Sequence, residues 1–214
     1  MNIVKLVASL AVLIVSSSGF AQSVAGVDRP EIKVGDVWTI QRKDVASGRI
    51  VGTGVNKVVS SAAGEFEVEI EFSSGRKTRS GYDGELNQVS NNGQRIATPR
   101  RLYSFPLSVG KKWEYKFSGR NGEDNGNLND STEVEVVALE TVTVPAGTFE
   151  AFKIVATGSY NNSNGSTTWG GSIYRTYWYA PKAKRAVRFE YKDTGPRGVW
   201  NHFVDELTIF ESPN

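Results

Sequence analysis

Apolar and polar residues alternate strictly along many short stretches of this chain. In residues 65–72 (EFEVEIEF), every second side chain is apolar and the others are glutamates. A period of two predicts a β-strand with one face in the core and the other in water. A three-residue loop with Gly75 in the left-handed conformation should follow, because this loop pairs basic residues of the next strand with the glutamates. The expected pairs are Lys77 with Glu71 and Arg79 with Glu69.

Similar patterns recur along the rest of the chain, and no helical periodicity follows residue 21. It predicts further strands near residues 36–43, 50–60, 76–79, 111–118, 132–144, 148–158, 167–180, 184–192 and 199–211. Residues 91–101 lack the pattern and are predicted to form an irregular connection. About ten strands exceed what a small flat sheet tolerates, so the sheet should curl. The predicted fold class is therefore all-β, with antiparallel strands in a strongly curved sheet or partial barrel; a β-sandwich is the alternative.

Two short motifs occur twice along the chain. Residues 34–38 (VGDVW) recur as 109–113 (VGKKW), and residues 63–66 (AGEF) recur as 146–149 (AGTF). Each copy would open with a glycine turn followed by a strand that carries tryptophan. This self-similarity predicts two meander repeats, at residues 32–90 and 107–192, within one all-β domain spanning residues 22–214.

The first 21 residues have the pattern of a secretory signal peptide. Lys5 precedes a predominantly apolar run of ten residues, 6–15, and small residues then lead to a cleavage site between Ala21 and Gln22. The run is too short to cross a bilayer, which needs about 20 apolar residues. The protein is therefore predicted to be periplasmic or secreted, with no membrane span after signal cleavage.

The composition excludes several kinds of chemistry. The chain has no cysteine and one histidine, His202, so thiol nucleophiles, thiolate zinc sites and multi-histidine metal sites cannot form. The polar loop 121–130 lacks the Asp and Glu that open and close an EF-hand loop, so we expect no metal there. A net charge of +2 gives no reason to expect a nucleic-acid partner. We predict no cofactor, no bound metal and no catalytic residue.

One predicted strand, residues 167–180, carries large aromatic side chains on both faces. Tyr174 and Trp178 fall on one face, and Tyr177 and Tyr179 fall on the other. Either both faces are buried, or one of them forms a wall against a ligand, since tyrosine and tryptophan combine an apolar ring with a hydrogen-bonding group. The candidate ligand-binding residues are Trp169, Tyr174, Tyr177, Trp178 and Tyr179.

Three motifs in the second half of the chain resemble a known family. These are VGKKW at 109–113, VTVPAGTF at 142–149 and YWYAP at 177–181. They resemble the exported bacterial proteins grouped under domain of unknown function 3108, over residues 105–192. The resemblance implies an open β-clam like that of periplasmic lipoprotein carriers. It implies no catalytic residues, because the family has none assigned.

Three functions remain open at this level. The pattern favours an exported, non-enzymatic protein that binds a lipid-like or other amphipathic ligand in the concave face of its sheet. One alternative is a hydrolase or lyase that acts on envelope glycans through paired carboxylates. The other is a structural subunit of an envelope assembly. The partner would be a lipid-like or glycan ligand, with no indication of the oligomeric state.

Overall fold

The computed structural model describes residues 26–120 and 127–213, which form one antiparallel sheet of twelve strands. The strands are β1 (Val37–Asp44), β2 (Ile50–Ala62), β3 (Glu65–Phe72), β4 (Lys77–Asp83), β5 (Gln88–Asn91), β6 (Gln94–Arg95), β7 (Lys112–Arg120), β8 (Asn127–Val144), β9 (Gly147–Ser163), β10 (Thr168–Ala180), β11 (Arg185–Gly195) and β12 (Gly198–Glu211). The prediction of an all-β fold is confirmed. The predicted signal peptide, its cleavage site and residues 121–126 of the polar loop lie outside the described residues.

Helical structure is confined, within the described ranges, to one 3-10 turn, Pro181–Ala183, between β10 and β11. No helix in this part of the chain is long and apolar enough to cross a membrane. Two more strands are present than the ten predicted. The additional ones, β5 and β6, lie where the alternation of apolar residues is weak.

The sheet consists of two six-stranded meanders side by side. The strand order is β6-β5-β4-β3-β2-β1-β12-β11-β10-β9-β8-β7, so every neighbouring pair is consecutive in sequence except β1 and β12. The pairing of β1 with β12 joins the first meander (β1–β6) to the second (β7–β12). The sheet does not close, and β6 and β7 are its two edges. This arrangement is a single curved sheet and not the two-layer sandwich considered as the alternative.

The connection between β6 and β7, residues 96–111, bridges the gap between the two edges of the curled sheet, because Thr98, three residues after β6 ends, already pairs with Ser118 of β7. We call it the crossing segment, and we call the face of the sheet that it covers the inner face. Tyr103 of this segment packs against the rings of Tyr177 and Tyr179, with centroid distances of 6.1 and 5.6 Å. Leu107 is fully buried and exchanges two backbone hydrogen bonds of 2.8 Å with Val27. The crossing segment therefore fills part of the concavity of the sheet.

Contacts between distant strands show how strongly the sheet curls. The backbone N–H of Ala146, at the tip of the β8–β9 hairpin, donates to the carbonyl of Leu207 in β12 at 3.0 Å, although β10 and β11 lie between these strands. Close backbone approach also requires glycine in β10. A Cβ atom on Gly171 would lie 1.7 Å from the carbonyl oxygen of Thr194. The core is formed on the inner face by residues of both meanders.

The predicted β3–β4 hairpin has the expected register. Glu71 pairs with Lys77 and Glu69 pairs with Arg79. Gly75 has a φ of 80°, which places it in the left-handed region as predicted. The Lys77 ammonium lies 3.0 Å from the Glu71 carboxylate, so the charges do meet on the solvent face.

The two copies of the glycine turn have matching hydrogen bonds. Gly35 and Gly110 both adopt a left-handed backbone, with φ of 94° and 88°. The Gly35 N–H donates to the carbonyl of Val58, and the Gly110 N–H donates to that of Val136. In both copies the turn is therefore fixed to the second strand of its meander. The origin of the halves as a duplication remains a prediction.

Candidate functional site

A groove opens on the inner face over strands β3, β2, β1, β12 and β11. It has a volume of about 620 Å³ and adjoins a smaller cavity of about 200 Å³. We call the two together the inner groove. Apolar and aromatic side chains dominate its lining: Ile40, Ile70, Phe72, Tyr82 and Phe189 border the larger part, and Phe66, Val68, Leu102, Tyr103 and Tyr177 border the smaller part.

Strand alternation and the absence of a side chain at Gly54 create this groove. Ile40 and Phe72 point into it from β1 and β3 because every second side chain of a strand faces the same side. Between them, Gly54 of β2 pairs with Ile40 on one side and with Phe72 on the other. A Cβ on Gly54 would make ordinary contacts of 3.8 and 3.9 Å with Ile70 and Phe72. A larger side chain at this position would therefore occupy the groove without displacing backbone.

The groove contains one carboxylate, and that carboxylate is neutralised. Asp205 accepts two hydrogen bonds from the Arg42 guanidinium, at 2.7 and 2.8 Å. The same guanidinium stacks on the ring of Phe203, 3.7 Å from its centroid. The side chains of Arg42 and Asp205 thus satisfy each other, and together they add no net charge to the groove.

Arg185 differs from Arg42 in having no acidic partner. It lines both parts of the groove, and its guanidinium lies 5.2 Å from the ring centroid of Trp38. No carboxylate of the described residues is within ion-pairing distance of it. Burial raises the pKa of Tyr82 and Tyr103, and the positive charge of Arg185 partly opposes that rise. Arg185 is therefore a half-buried cation among apolar and aromatic side chains.

The aromatic residues predicted from sequence are distributed over both faces of β10. Tyr177 lines the groove, and its ring stacks on Phe189 at 4.6 Å. Tyr179 is fully buried beneath the crossing segment. Tyr174 is 46% exposed, and Trp169 is half-buried near the start of the strand. The structure thus places one of the five residues at the groove, and a ligand-binding role for any of them remains a prediction.

Trp178 is buried although it lies on the face of β10 opposite Tyr177 and Tyr179. Its indole N–H donates to the Glu140 carboxylate at 2.7 Å. The Lys153 ammonium and the Arg188 guanidinium lie over its ring, 5.4 and 4.9 Å from the centroid. The stems of these long side chains cover the ring. Trp178 therefore packs within the outer surface of the sheet and does not reach the groove.

A second cavity lies beside strands β7, β8 and β9 of the second meander, where exposed side chains facing away from the core supply most of its lining. We call it the polar pocket; its volume is about 650 Å³, and its lining includes Thr98, Phe117, Asp130, Tyr160 and Gly171. The Asp130 side chain has no exposed surface and accepts a hydrogen bond of 2.7 Å from Arg100. Arg175 donates to the same Asp130 oxygen at 3.5 Å and to the Tyr115 hydroxyl at 2.8 Å. Sequence patterns gave no indication of this cluster.

Neither cavity has the features of a metal or acid–base centre. Within the described ranges, no three His, Cys, Asp or Glu side chains are close enough to hold a metal ion. Each of the two cavities is lined by a single carboxylate, Asp205 or Asp130. His202 lies on β12, where its Nε2 atom contacts Glu190 at 2.9 Å.

Two solved structures resemble this arrangement of strands. One is of a protein described as a lipoprotein from Parabacteroides distasonis, with 16% identity, a TM-score of 0.57 and coverage of 88% of this chain and all of the other. The second is of an exported protein with a YmcC-like fold from Bacteroides fragilis, with 18% identity, a TM-score of 0.52 and the same coverage. This chain shares their fold.

At these identities the likeness extends to the fold alone. No protein-family model and no curated protein sequence matches the chain. The resemblance to domain of unknown function 3108 therefore stays a prediction. The descriptions of the two neighbours, as a lipoprotein and as an exported protein, agree with the export expected from the N-terminal sequence.

Proposed function

We propose that this chain is an exported, non-enzymatic protein that binds an anionic amphipathic ligand in the inner groove. The observation that carries the proposal is Arg185, a cation without an acidic partner in the described part of the chain, set among apolar and aromatic side chains. A ligand with an apolar chain and a carboxylate or phosphate head would complement both features.

The lining favours such a ligand on energetic grounds. Removing apolar surface from water contributes about 25 cal/mol per Å², so an acyl chain gains from contact with Ile40, Ile70 and Phe72. A guanidinium matches carboxylate and phosphate oxygens with paired N–H groups. The groove volume of about 620 Å³ also lies within the range of small-molecule sites.

The hydrolase alternative has less support in the groove. Glycoside hydrolysis uses two converging carboxylates. The groove offers Asp205 alone, and its oxygens are engaged by Arg42. The alternative of a structural envelope subunit remains a prediction that no specific contact favours, as does the choice between the periplasm and the extracellular medium.

The test compares an anionic and a neutral ligand of equal chain length. Displacement of fluorescent cis-parinaric acid from the mature chain would be measured with oleate and with oleyl alcohol. Arg185→Gln should weaken oleate binding about tenfold, because it removes about one charge-assisted hydrogen bond to the carboxylate. The same substitution should leave the affinity for oleyl alcohol nearly unchanged. Gly54→Val should weaken both ligands, because its side chain would fill the groove.

Arg188→Gln is the matched control, since this arginine lies three residues further along the strand and packs against Trp178 on the outer face. It should bind both ligands as the native protein does, and circular dichroism would verify that all variants fold. Equal loss of oleate binding in the Arg185 and Arg188 variants would contradict the proposal, as would failure of native protein to bind oleate. Mass spectrometry of protein purified from its own envelope should detect a co-purifying anionic lipid.

A further inference from the structure

Exposed apolar side chains collect at one end of the sheet. Val45, Ile50 and Val51 belong to the β1–β2 hairpin, and Val199 and Trp200 belong to the β11–β12 hairpin. Their exposed fractions lie between 39% and 57%, and they are five of the eleven large apolar side chains that are exposed in the described chain. Single exposed apolar residues are ordinary, but a group of them on adjoining turns indicates a contact surface.

These two hairpins adjoin because β1 pairs with β12 up to its last residue. Beyond that residue, the backbone N–H of Val45 donates to the carbonyl of His202 at 3.1 Å. The β3–β4 turn follows in the same row, since the N–H of Ser73 donates to the carbonyl of Thr53 in β2 at 2.9 Å. We call these three turns together the rim, and it consists of residues 45–51, 72–76 and 195–200.

The rim continues into the inner groove. Val51 and Phe72 belong to the rim, and both line the larger part of the groove. Arg185 lines the same groove from the start of β11, at the opposite end of the strands. A surface in contact with the rim would therefore also border the groove.

Each turn of the rim carries one arginine and no acidic residue. Arg49, Arg76 and Arg197 are exposed, and none of them forms an ion pair with a carboxylate in the part of the chain that the structure describes. The acidic residues that flank the turns already accept hydrogen bonds, Asp44 from Ser47 and Asp193 from Asn201. The rim thus combines apolar side chains with three positive charges.

We propose that the rim docks on the surface of an anionic phospholipid bilayer. The arginines complement lipid phosphate groups, and each basic residue held near an anionic bilayer adds to the attraction. Trp200 suits the interfacial layer, where its ring leaves water and its N–H group can still donate a hydrogen bond. This docking does not depend on which ligand the groove binds, because the rim residues named here are exposed in the protein without a ligand.

Vesicles of two compositions provide the test. The mature chain, residues 22–214, would be mixed with vesicles of pure phosphatidylcholine or of phosphatidylcholine and phosphatidylglycerol in equal parts, and the bound fraction would be measured by co-flotation. Native protein should bind the anionic vesicles more tightly, and this preference should fade with salt, since the Debye length falls from about 10 Å at 0.1 M to about 3 Å at 1 M. Arg197→Gln should weaken binding to the anionic vesicles about 3- to 5-fold.

Ile50→Ser and Ile209→Ser form a matched pair. Both isoleucines are about half exposed, at 52% and 47%, but Ile209 lies opposite Thr39, near the end of the sheet away from the rim. Ile50→Ser should weaken vesicle binding about 3- to 10-fold, because it removes apolar surface that leaves water on docking. Ile209→Ser should bind as native protein does. Since neither side chain belongs to the core, both variants should fold, and circular dichroism would verify this.

Four outcomes would overturn the inference. The first is that native protein does not bind the anionic vesicles, and the second is that the two isoleucine substitutions have equal effects. The third is that Arg185→Gln abolishes vesicle binding, which would mean that a single lipid drawn into the groove holds the protein. The fourth is that gel filtration shows a native dimer that Ile50→Ser dissociates, which would mean that the rim is covered by a second copy of the chain.

Discussion

Replacing Asp36 by asparagine should weaken the junction between the two meanders. The Asp36 side chain is fully buried just before β1. Its oxygens accept hydrogen bonds from the Lys184 ammonium at 2.9 and 3.0 Å, from the Ser212 hydroxyl at 2.5 Å and from the backbone N–H of Lys33 at 2.9 Å. One carboxylate therefore joins the start of the first meander, the turn before β11 and the segment after β12.

The magnitude follows from what remains after the substitution. Removing one partner of a buried ion pair costs about 3–5 kcal/mol, because the other charge stays buried without compensation. Lys184 is 18% exposed and so keeps some contact with water, and asparagine retains one acceptor oxygen. We therefore expect Asp36→Asn to lower the free energy of unfolding by about 2–3 kcal/mol. Urea denaturation followed by tryptophan fluorescence would measure it.

An exposed ion pair of similar geometry provides the control. Glu65 accepts two hydrogen bonds of 2.7 Å from Arg95, but both side chains are exposed. Water and salt screen such a pair, so Glu65→Gln should shift the urea midpoint little. In a double-mutant cycle, Asp36→Asn and Lys184→Met should couple by at least about 1 kcal/mol. Equal effects of the Asp36 and Glu65 substitutions, or strictly additive effects in the cycle, would refute the reasoning.

Two further predictions concern the backbone and the buried tyrosines. Gly171→Ala should lower the free energy of unfolding by about 1–3 kcal/mol or more, because its Cβ would meet the Thr194 carbonyl. Gly52 has open space around it, so Gly52→Ala should change the free energy of unfolding by less than about 1 kcal/mol in the same urea assay. Burial raises the pKa of Tyr177, and it raises the pKa of Tyr191 to about 12. Because an unfolded tyrosine ionises near pH ~10, the folded state is favoured below that pH, and this contribution to stability should be lost as the pH rises above ~10 towards the folded-state pKa values. Tyrosinate absorbance should then appear together with loss of circular dichroism, and full tyrosinate formation in a folded chain would contradict this.

Local features of the fold could be predicted because they depend on neighbouring residues. The period of two in β3 and the charges of β4 sufficed to predict the register of that hairpin, including the left-handed Gly75. By contrast, β5 and β6 lie within QVSNNGQR, where Val89 is the one apolar residue. β5 pairs with the free backbone edge of β4, and β6 then pairs with β5, a cause that leaves no pattern in their own sequence.

The inner groove could not be predicted in the same way. Its walls come together because β1 pairs with β12, and the paired residues lie more than 150 positions apart in the chain. In the sequence, Arg185 belongs to a basic stretch, PKAKRAVR, that is typical of a solvated strand. What distinguishes it from Lys184 is spatial: Lys184 reaches Asp36, and Arg185 faces the groove with no carboxylate of the described chain beside it.

The aromatic strand illustrates a pattern with two correct physical explanations. Rings on both faces of a strand indicate that water is excluded from both. On the inner face, the crossing segment covers Tyr179 through Tyr103. On the outer face, Lys153 and Arg188 cover Trp178. Long basic side chains can bury an aromatic ring as effectively as a second layer of structure, and this is why the sequence pattern alone did not separate core packing from a ligand wall.

The chain between β6 and β7 contributes side chains to both cavities. It bridges the two edges of the curled sheet, where Thr98 pairs with Ser118 of β7, and then packs on the inner face through Tyr103 and Leu107. Its first part contributes Thr98 and Arg100 to the polar pocket, whereas Leu102 and Tyr103 line the inner groove. The apolar groove, with a cation that has no acidic partner in the described chain, and the polar pocket are lined by different residues, so a ligand specific for the groove should be indifferent to substitutions in the pocket.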